Sequence, residues 1–239
     1  MQALRARGLR MGGVSTSGGT SKWAVLALLA GAIVFGDQIS KYLAVEHLTT
    51  AFESVRARTT AEKVQAFAHE RDLLERGLVL PPSRVVDGFW QWRYTQNRGA
   101  AWGLFANQSE KFRVPFFHLV TIAAVIFIIS YYRNLDSSQR YLQVALSLLL
   151  GGALGNGVDR LLRGYVIDFI DWHWFDPGWT SPGRHWPTFN VADSGVSIGI
   201  VMLLLDWAGT SAWWRALVAK KHSAQESLPD EKRPGPRLR

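Results

Sequence analysis

The chain has 239 residues, with 27 Lys and Arg residues against 19 Asp and Glu residues, and it contains no cysteine. The lack of cysteine excludes disulfides, a thiol nucleophile and thiolate metal sites, and the net charge of +8 forms no basic stripe with stacking aromatic residues, so no nucleic-acid partner is expected. Because 48% of the residues are hydrophobic and long stretches carry no charge, the composition predicts a membrane protein with several spans.

Four apolar segments predict four transmembrane helices, at about residues 23–45, 114–132, 141–158 and 194–214. The second and third contain no Asp, Glu, Lys or Arg over 19 and 18 residues, close to the ~20 residues that cross the hydrocarbon. The first and fourth also qualify, although each contains ionisable residues in its second half.

The first segment shares features with a secretory signal peptide. Arginines precede it, and Ala30-Gly31-Ala32 resembles a cleavage site. Apolar residues continue beyond that site over 33–35, so cleavage there would cut the span in its middle. A retained first span is therefore favoured.

Lys and Arg residues crowd the segments that an even number of spans places on one side of the membrane. Four lie in the tail at 1–22, two flank the loop between the second and third spans, and seven lie in the tail at 215–239. The positive-inside rule assigns this side to the cytoplasm. The predicted organisation is a cytoplasmic tail at 1–22, a four-span domain at 23–214 and a basic cytoplasmic tail at 215–239, with the loops 46–113 and 159–193 outside.

The outer loops contain predicted elements of their own. Thr59-Thr60-Ala61-Glu62 fits a capping box and Gly77 fits a helix stop, which predicts a charged surface helix at about 60–76. Residues 85–94 alternate, with Trp90, Trp92 and Tyr94 on one face and Gln91 and Arg93 on the other, which predicts a strand or small sheet at the membrane surface. The Trp-rich stretch 172–186 predicts an irregular loop at the interface, with or without a role as a lid.

Ionisable and amide side chains near membrane depth are costly, and they mark candidate functional sites. The predicted orientation brings such residues from separate parts of the chain to the outer face: Asp37, Lys41, Asn97, Asn156, Asp159, Arg160, Asp168, Asn190 and Asp193. Their convergence on one membrane face predicts a single polar site there.

Among these residues, Asp168 and Asp193 have no basic neighbour within three positions, which favours chemistry over simple ion pairing. The six histidines lack helical metal-ligand spacing, so a zinc site is not expected, and no serine-protease elbow is present. Two nearby carboxylates cannot both ionise cheaply and therefore share a proton. One then acts as general base on water while the other protonates or polarises a scissile carbonyl.

The other polar residues and the glycines also have structural explanations. The spacing of Asp37 and Lys41 suits a helix-end ion pair. Asp159 and Arg160 could form an adjacent pair that caps the third span, and Asp206 suits the inner interface. Close helix packing explains the small residues Gly151, Gly152 and Gly155.

Five segments of the chain match a known family in order and spacing: Asp37-Gln38-Ile39-Ser40-Lys41, Asn97-Arg98-Gly99-Ala100-Ala101-Trp102-Gly103, Gly151-Gly152-Ala153-Leu154-Gly155-Asn156-Gly157-Val158-Asp159-Arg160, Gly164-Tyr165-Val166-Ile167-Asp168-Phe169 and Phe189-Asn190-Val191-Ala192-Asp193-Ser194. With these segments the chain resembles lipoprotein signal peptidase (signal peptidase II), a four-span aspartyl protease of the bacterial inner membrane. The resemblance covers about 23–214 and implies an all-α membrane protein with four transmembrane helices and a small periplasmic β-cradle.

The resemblance implies that Asp168 and Asp193 are the catalytic dyad. Supporting or substrate-binding roles follow for Asn97, Asn156, Asp159, Arg160, Asn190, Asp37 and Lys41, and Asp159 is not excluded from the chemistry. The implied reaction removes the signal peptide of a diacylglyceryl-modified prolipoprotein by cleavage before the lipidated cysteine. The implied partners are this substrate and membrane lipid. The resemblance implies no metal or organic cofactor. It also implies sensitivity to the cyclic peptide globomycin.

The chain departs from the family at about 48–84, where an extra periplasmic helical insertion is expected, and in its extended C-terminal tail. Two other functions stay open. A proton-coupled small membrane transporter would also need carboxylates, although spread across the membrane depth. A catalytically inactive adaptor would use the insertion as a docking helix.

Overall fold

The computed structural model describes residues 21–69, 71–99, 104–105, 107–174, 185–210 and 220. The predicted tails at 1–22 and 215–239 lie almost wholly outside these residues, as does most of the Trp-rich stretch 172–186.

Six helices and three strands form within the described residues: α1 (Lys22–Leu48), α2 (Ala51–Ser54), α3 (Thr60–His69), β1 (Ser83–Val86), β2 (Trp90–Asn97), α4 (Glu110–Arg133), α5 (Arg140–Arg163), β3 (Val166–Trp172) and α6 (Val191–Thr210). Four of them, α1, α4, α5 and α6, are long and apolar enough to cross a membrane, which confirms the four-helix fold. The helix α5 continues past the predicted end of the third span at Val158 and reaches Arg163.

The helix α5 lies at the centre and packs against α1, α4 and α6. Glycines permit the close approach, as the sequence predicted. Gly151 faces the α1 backbone at Ala30, and Gly152 faces the first turn of α6 at Ala192. Large apolar side chains on the outer faces of the helices are exposed, as expected for surfaces in contact with lipid.

The three strands form one antiparallel sheet in the order β1-β2-β3. The predicted strand or small sheet at 85–94 is confirmed as a hairpin of β1 and β2, and Gly88 adopts a left-handed φ of 70° in its turn. The contacts of β2 agree with the predicted faces: Trp92 and Tyr94 pack against the same core, whereas Gln91 and Arg93 both contact Asp171 Oδ2. An irregularity between Trp92 and Thr95 shifts the register with β3.

The strand β3 had no sequence signal, because its residues show no alternation. Both of its faces are covered, so its side chains from Val166 to Phe169 are all buried. Gly164 ends α5 in a left-handed conformation, with φ 78°, and its N–H bonds the Arg160 carbonyl. This turn sends the chain back along the end of the helix bundle, which places Asp168 beside α5.

The insertion packs onto the bundle and the sheet. The predicted capping box of α3 is confirmed, because Thr59 Oγ1 accepts from the Glu62 N–H and the Glu62 carboxylate accepts from the Thr59 N–H. The helix ends at His69 rather than near residue 76, and the chain continues in turns. Apolar side chains of the insertion, including Phe52 and Leu73, share a core with the end of α1 and the sheet.

Candidate active site

Asp168 lies in the middle of β3, opposite Thr95 of β2, and its side chain is buried. Each of its two carboxylate oxygens accepts one hydrogen bond from an amide side chain. Asn190 Nδ2 donates to Oδ1 at 2.7 Å, and Asn97 Nδ2 donates to Oδ2 at 3.0 Å. Asn97 ends β2, and its own Oδ1 accepts from the Gly99 N–H, which fixes the orientation of the amide.

Asp193 occupies the first turn of α6 and forms a reciprocal cap with Asn190. The Asp193 N–H donates to Asn190 Oδ1 at 2.9 Å, and Asp193 Oδ2 accepts from the Asn190 N–H at 3.2 Å. The other carboxylate oxygen accepts from Asn156 Nδ2 of α5 at 2.7 Å. The helix N-terminus stabilises negative charge at this position.

A continuous chain of hydrogen bonds joins the two aspartates. Asn190 Nδ2 contacts Asp168 and also donates to Asn156 Oδ1 at 3.1 Å, and Asn156 in turn donates to Asp193. The two asparagines therefore hold both carboxylates in one network, although Asp168 belongs to the strand β3 and Asp193 to the helix α6.

Burial, and after it the negative charge of Asp193, raise the pKa of Asp168 to about 8, against the opposing effects of the hydrogen bonds from Asn97 and Asn190 and of the positive charge of Lys41. This shift favours the protonated form of the Asp168 carboxyl at neutral pH. A protonated acid beside a second carboxylate is the arrangement that general acid–base hydrolysis needs.

A second polar cluster, which we call the ionic cluster, lies next to Asp168 and Asp193. It consists of Asp37, Lys41, Asp159 and Arg163, all with buried side chains. Lys41 Nζ lies 2.7 Å from Asp37 Oδ2 and 2.8 Å from Asp159 Oδ2, and Arg163 Nη1 lies 2.9 Å from Asp159 Oδ1. Two acids and two bases balance in charge, so no buried charge is left uncompensated. The predicted ion pair between Asp37 and Lys41 is confirmed.

The ionic cluster also fixes the backbone immediately before each candidate catalytic residue. Asp159 Oδ2 accepts from the Ile167 N–H at 3.0 Å, and Asp37 Oδ1 accepts from the Ala192 N–H at 2.9 Å. Asp168 follows Ile167, and Asp193 follows Ala192. Lys41 completes the connection by donating to Asn156 Oδ1 at 3.2 Å.

Asp159 and Arg160 do not act as the adjacent capping pair that the sequence suggested. α5 runs through both residues, and their side chains have different partners. Asp159 pairs with Lys41 and Arg163, whereas Arg160 Nη2 donates to the Gly99 carbonyl at 3.2 Å and its guanidinium lies 4.6 Å from the centre of the Phe117 ring.

All nine polar residues singled out in the sequence thus lie in, or next to, this connected network. The sequence reasoning missed Arg163, although its position four residues after Asp159 on a helix was a usable signal. It also missed a group of side chains near the end of β3, formed by Asp171, His173 and His185. These residues come together because His173 and His185 pair in an antiparallel bridge, which their separation along the chain does not indicate.

The fold and the site define a membrane protein of four apolar helices with two linked aspartates at one end of the bundle. The signal peptidase (SPase) II family model matches residues 29–208. The chain therefore belongs to the signal peptidase II family, which makes it a peptidase.

Curated relatives and solved structures agree. The chain is 51% identical over 185 residues to a lipoprotein signal peptidase of Anaeromyxobacter sp. (strain Fw109-5), covering 77% of this chain and 85% of that one. It is 41% identical over 150 residues to a lipoprotein signal peptidase of Syntrophotalea carbinolica, covering 60% and 84%. Two solved structures, both described as bacterial membrane enzymes, align with TM-scores of 0.51 and 0.55 at 28% and 27% identity, covering 78% of this chain and 92% and 94% of theirs.

Proposed function

We propose that the protein is an intramembrane aspartyl endopeptidase, with Asp168 and Asp193 as its catalytic dyad. It removes signal peptides from diacylglyceryl-modified prolipoproteins by cleaving before the lipidated cysteine. The observation that carries this proposal is the hydrogen-bond chain through Asn190 and Asn156, which holds Asp168 and Asp193 in one network.

In the proposed reaction, the Asp193 carboxylate takes a proton from a water molecule as the water oxygen attacks the scissile carbonyl carbon. Asp168 gives its proton to the carbonyl oxygen, which forms a gem-diol. The amide nitrogen then takes the proton from Asp193, the C–N bond breaks, and Asp168 recovers its proton from the gem-diol. The donors Asn97 and Asn190 stabilise the Asp168 carboxylate that exists between these steps.

The proposed location follows from the placement of the dyad at one end of the helix bundle. Asp193 lies in the first turn of α6 and Asn156 lies toward the end of α5, so the scissile bond would meet the dyad at the membrane surface. The acyl chains of the substrate could remain in lipid beside the apolar helices. The distribution of Lys and Arg supports cytoplasmic termini and a dyad on the periplasmic side of the bacterial inner membrane.

A proton-coupled transporter is supported less well. Its relay would need ionisable groups distributed across the membrane depth. The buried charged or titratable polar side chains among the described residues gather instead at the end of the bundle that carries the sheet: Asp37, Lys41, Arg113, Asp159, Arg163, Asp168, Asp171 and His173.

The test uses purified full-length protein with a diacylglyceryl-modified prolipoprotein and an otherwise identical substrate without the lipid. Mass spectrometry identifies the products. We expect cleavage of the modified substrate alone, immediately before the lipidated cysteine. Equal cleavage of both substrates would contradict the lipid requirement. No cleavage of either by folded protein, together with proton flux in proteoliposomes, would favour the transporter.

A further inference from the structure

Two histidines and an aspartate meet beyond the proposed dyad, at the far end of β3. Asp171 is near the end of β3, and His173 follows the last residue of the strand, Trp172, and pairs in an isolated bridge. The two residues are two positions apart in extended backbone, so their side chains project from the same face. His185 lies opposite His173 in an isolated antiparallel bridge, and the ring centres of the two histidines are 3.7 Å apart. The segment 174–184 connects the two sides of this bridge.

The spacing of the three side chains suits one small metal ion. His173 Nε2 lies 3.4 Å from Asp171 Oδ2, and His185 Nδ1 lies 3.3 Å from Asp171 Oδ1. One ligand atom from each residue can be chosen so that all three lie within 4.8 Å of one another. Two ligand atoms bound at ~2.1 Å to a tetrahedral zinc ion are about 3.4 Å apart, so little movement is needed to bring the three atoms around an ion.

The surroundings hold these groups in place. The side chains of Asp171 and His173 are fully buried, and that of His185 is 17% exposed. The His173 N–H donates to the Phe89 carbonyl at 2.7 Å, and the Trp186 N–H donates to the Trp172 carbonyl at 2.9 Å. The backbone therefore fixes both histidines without help from a metal.

The carboxylate also has the outer contacts that metal-ligating carboxylates usually have. Gln91 Nε2 donates to Asp171 Oδ2 at 2.8 Å, and Arg93 Nε lies 3.1 Å from the same oxygen. The Arg93 charge opposes cation binding; the side chain is 41% exposed as a whole, although its Nε atom beside Asp171 is buried. Two imidazole ligands favour zinc over magnesium or calcium, which prefer oxygen alone.

We propose that Asp171, His173 and His185 form a zinc site that joins the two ends of the segment 174–184, three residues along β3 from Asp168. Two histidines and one carboxylate leave a fourth tetrahedral position for water. The ion takes no part in the proposed peptide hydrolysis. This inference concerns binding alone, so its failure would leave the proposed peptidase function unchanged.

The test uses full-length protein in detergent, freed of metal by a chelator and of any affinity tag. Cobalt(II) serves as the spectroscopic probe, because a tetrahedral cobalt site absorbs visible light far more strongly than hydrated cobalt. We expect one cobalt ion per chain with tetrahedral absorption bands, displaced by one equivalent of zinc. We also expect zinc to raise the Tm of the protein, since it binds the folded state.

His185→Gln is the main variant, because this partly exposed ring can be replaced without opening the core, and His173→Gln is the second. The control is His69→Gln, at an exposed histidine of α3. Zinc affinity should fall by at least about 100-fold in the two variants, since even changes to outer contacts cost about 10–100-fold, and should be unchanged in the control. Equal cobalt spectra in wild type and His185→Gln, or only octahedral cobalt in wild type, would overturn the proposal.

Discussion

Asp168 and Asp193 have different backbone settings. Asp168 lies on a strand that is covered on both faces, where burial favours its neutral form. Asp193 lies in the first turn of α6, where backbone N–H groups favour negative charge. In the proposed mechanism, these settings suit Asp168 as the acid and Asp193 as the base.

The raised pKa of Asp168 predicts how activity depends on pH. Because the acid must hold its proton, kcat/KM should fall as pH rises through about 8. As pH rises, the unfolded chain loses the proton of Asp168 near the ordinary Asp pKa of about 3.9. The folded protein keeps that proton to a higher pH. The contribution of this group to stability is therefore complete below about pH 4 and is lost as pH rises toward 8.

Rates measured across this range with one lipidated substrate test the first expectation, and unfolding curves of wild type and Asp168→Asn test the second. The variant should lose less stability than wild type as pH rises. A rate that stays constant to pH 10 would contradict the assignment of Asp168 as the acid.

Asn97→Ala should move the alkaline limit of activity to higher pH. The Asn97 amide stabilises the ionised form of Asp168, so its removal raises the pKa of that carboxyl further. The pH–rate profile of the variant measures the shift. Asn134→Ala is the matched control, at an exposed asparagine after α4, and its profile should coincide with that of wild type. A shift of Asn97→Ala toward lower pH would show that the amide supports the protonated form instead.

At the scale of elements, the ionic cluster ties α1, α5, β3 and α6 together. Its central cation is Lys41, whose three donors are occupied by Asp37, Asp159 and Asn156. Each acid in turn bonds the backbone in front of one dyad residue. The cluster is therefore a positioning device for the dyad, and its cost in desolvation is offset by complete pairing.

Lys41→Met should destabilise the protein by about 3–5 kcal/mol, because it leaves two carboxylates buried without their shared cation. Lys63→Met is the control. Lys63 also pairs with a carboxylate, that of Glu46 at 2.7 Å, but both side chains are partly exposed. The control should unfold almost as wild type does, since exposed ion pairs contribute little. Thermal unfolding in detergent measures both, and equal Tm values for the two variants would contradict the role of the cluster.

Gly152→Ala should separate α5 from α6. A Cβ atom at Gly152 would meet the Ala192 carbonyl and would lie 2.5 Å from Val196 Cγ2. We expect a loss of about 1–3 kcal/mol in stability and a fall in kcat, because the displaced turn carries Asp193. Gly31→Ala, on α1 with open space around it, should be neutral or slightly stabilising. Unfolding curves and cleavage rates that are the same in both variants would refute this account of the contact.

Elements differed in how well the sequence predicted them, for physical reasons. The apolar helices were predicted, because lipid requires long uncharged stretches. The strand β3 was not, since burial on both faces removes the period of two. The alternation in β2 was a usable signal for its two faces, although it did not show the irregularity after Trp92. The end of α3 at His69 had no sequence signal, whereas its capping box at Thr59 and Glu62 did.

At the scale of the whole molecule, polar and apolar parts are separated along the bundle. The apolar faces of α1, α4 and α6 are exposed, and the buried charged residues among those described collect beside the sheet and the insertion. The insertion contributes to this end directly, since Arg163 Nε donates to the Phe67 carbonyl at 3.1 Å and its guanidinium lies over the Phe67 ring. The insertion thus contributes to the support of the ionic cluster.

The convergence of the nine polar residues was visible in the sequence, because the orientation of the spans already placed them on one face. Their individual partners were not. Which oxygen of Asp168 faces Asn97, or which base pairs with Asp159, depends on the turn at Gly164 and on the register between β2 and β3. Such contacts arise from three-dimensional packing that spacing along the chain does not encode.

The most direct test of the proposed dyad is the cleavage rate of a diacylglyceryl-modified prolipoprotein by Asp168→Asn and Asp193→Asn, each shown to be folded by its unfolding curve. Each variant should lose at least about 10²–10⁴-fold in kcat, the usual contribution of a general acid or base. The control is Asp136→Asn, at an exposed position in the loop at the opposite end of α5, and it should retain the wild-type rate. Full activity in either dyad variant would contradict the assignment of the catalytic residues.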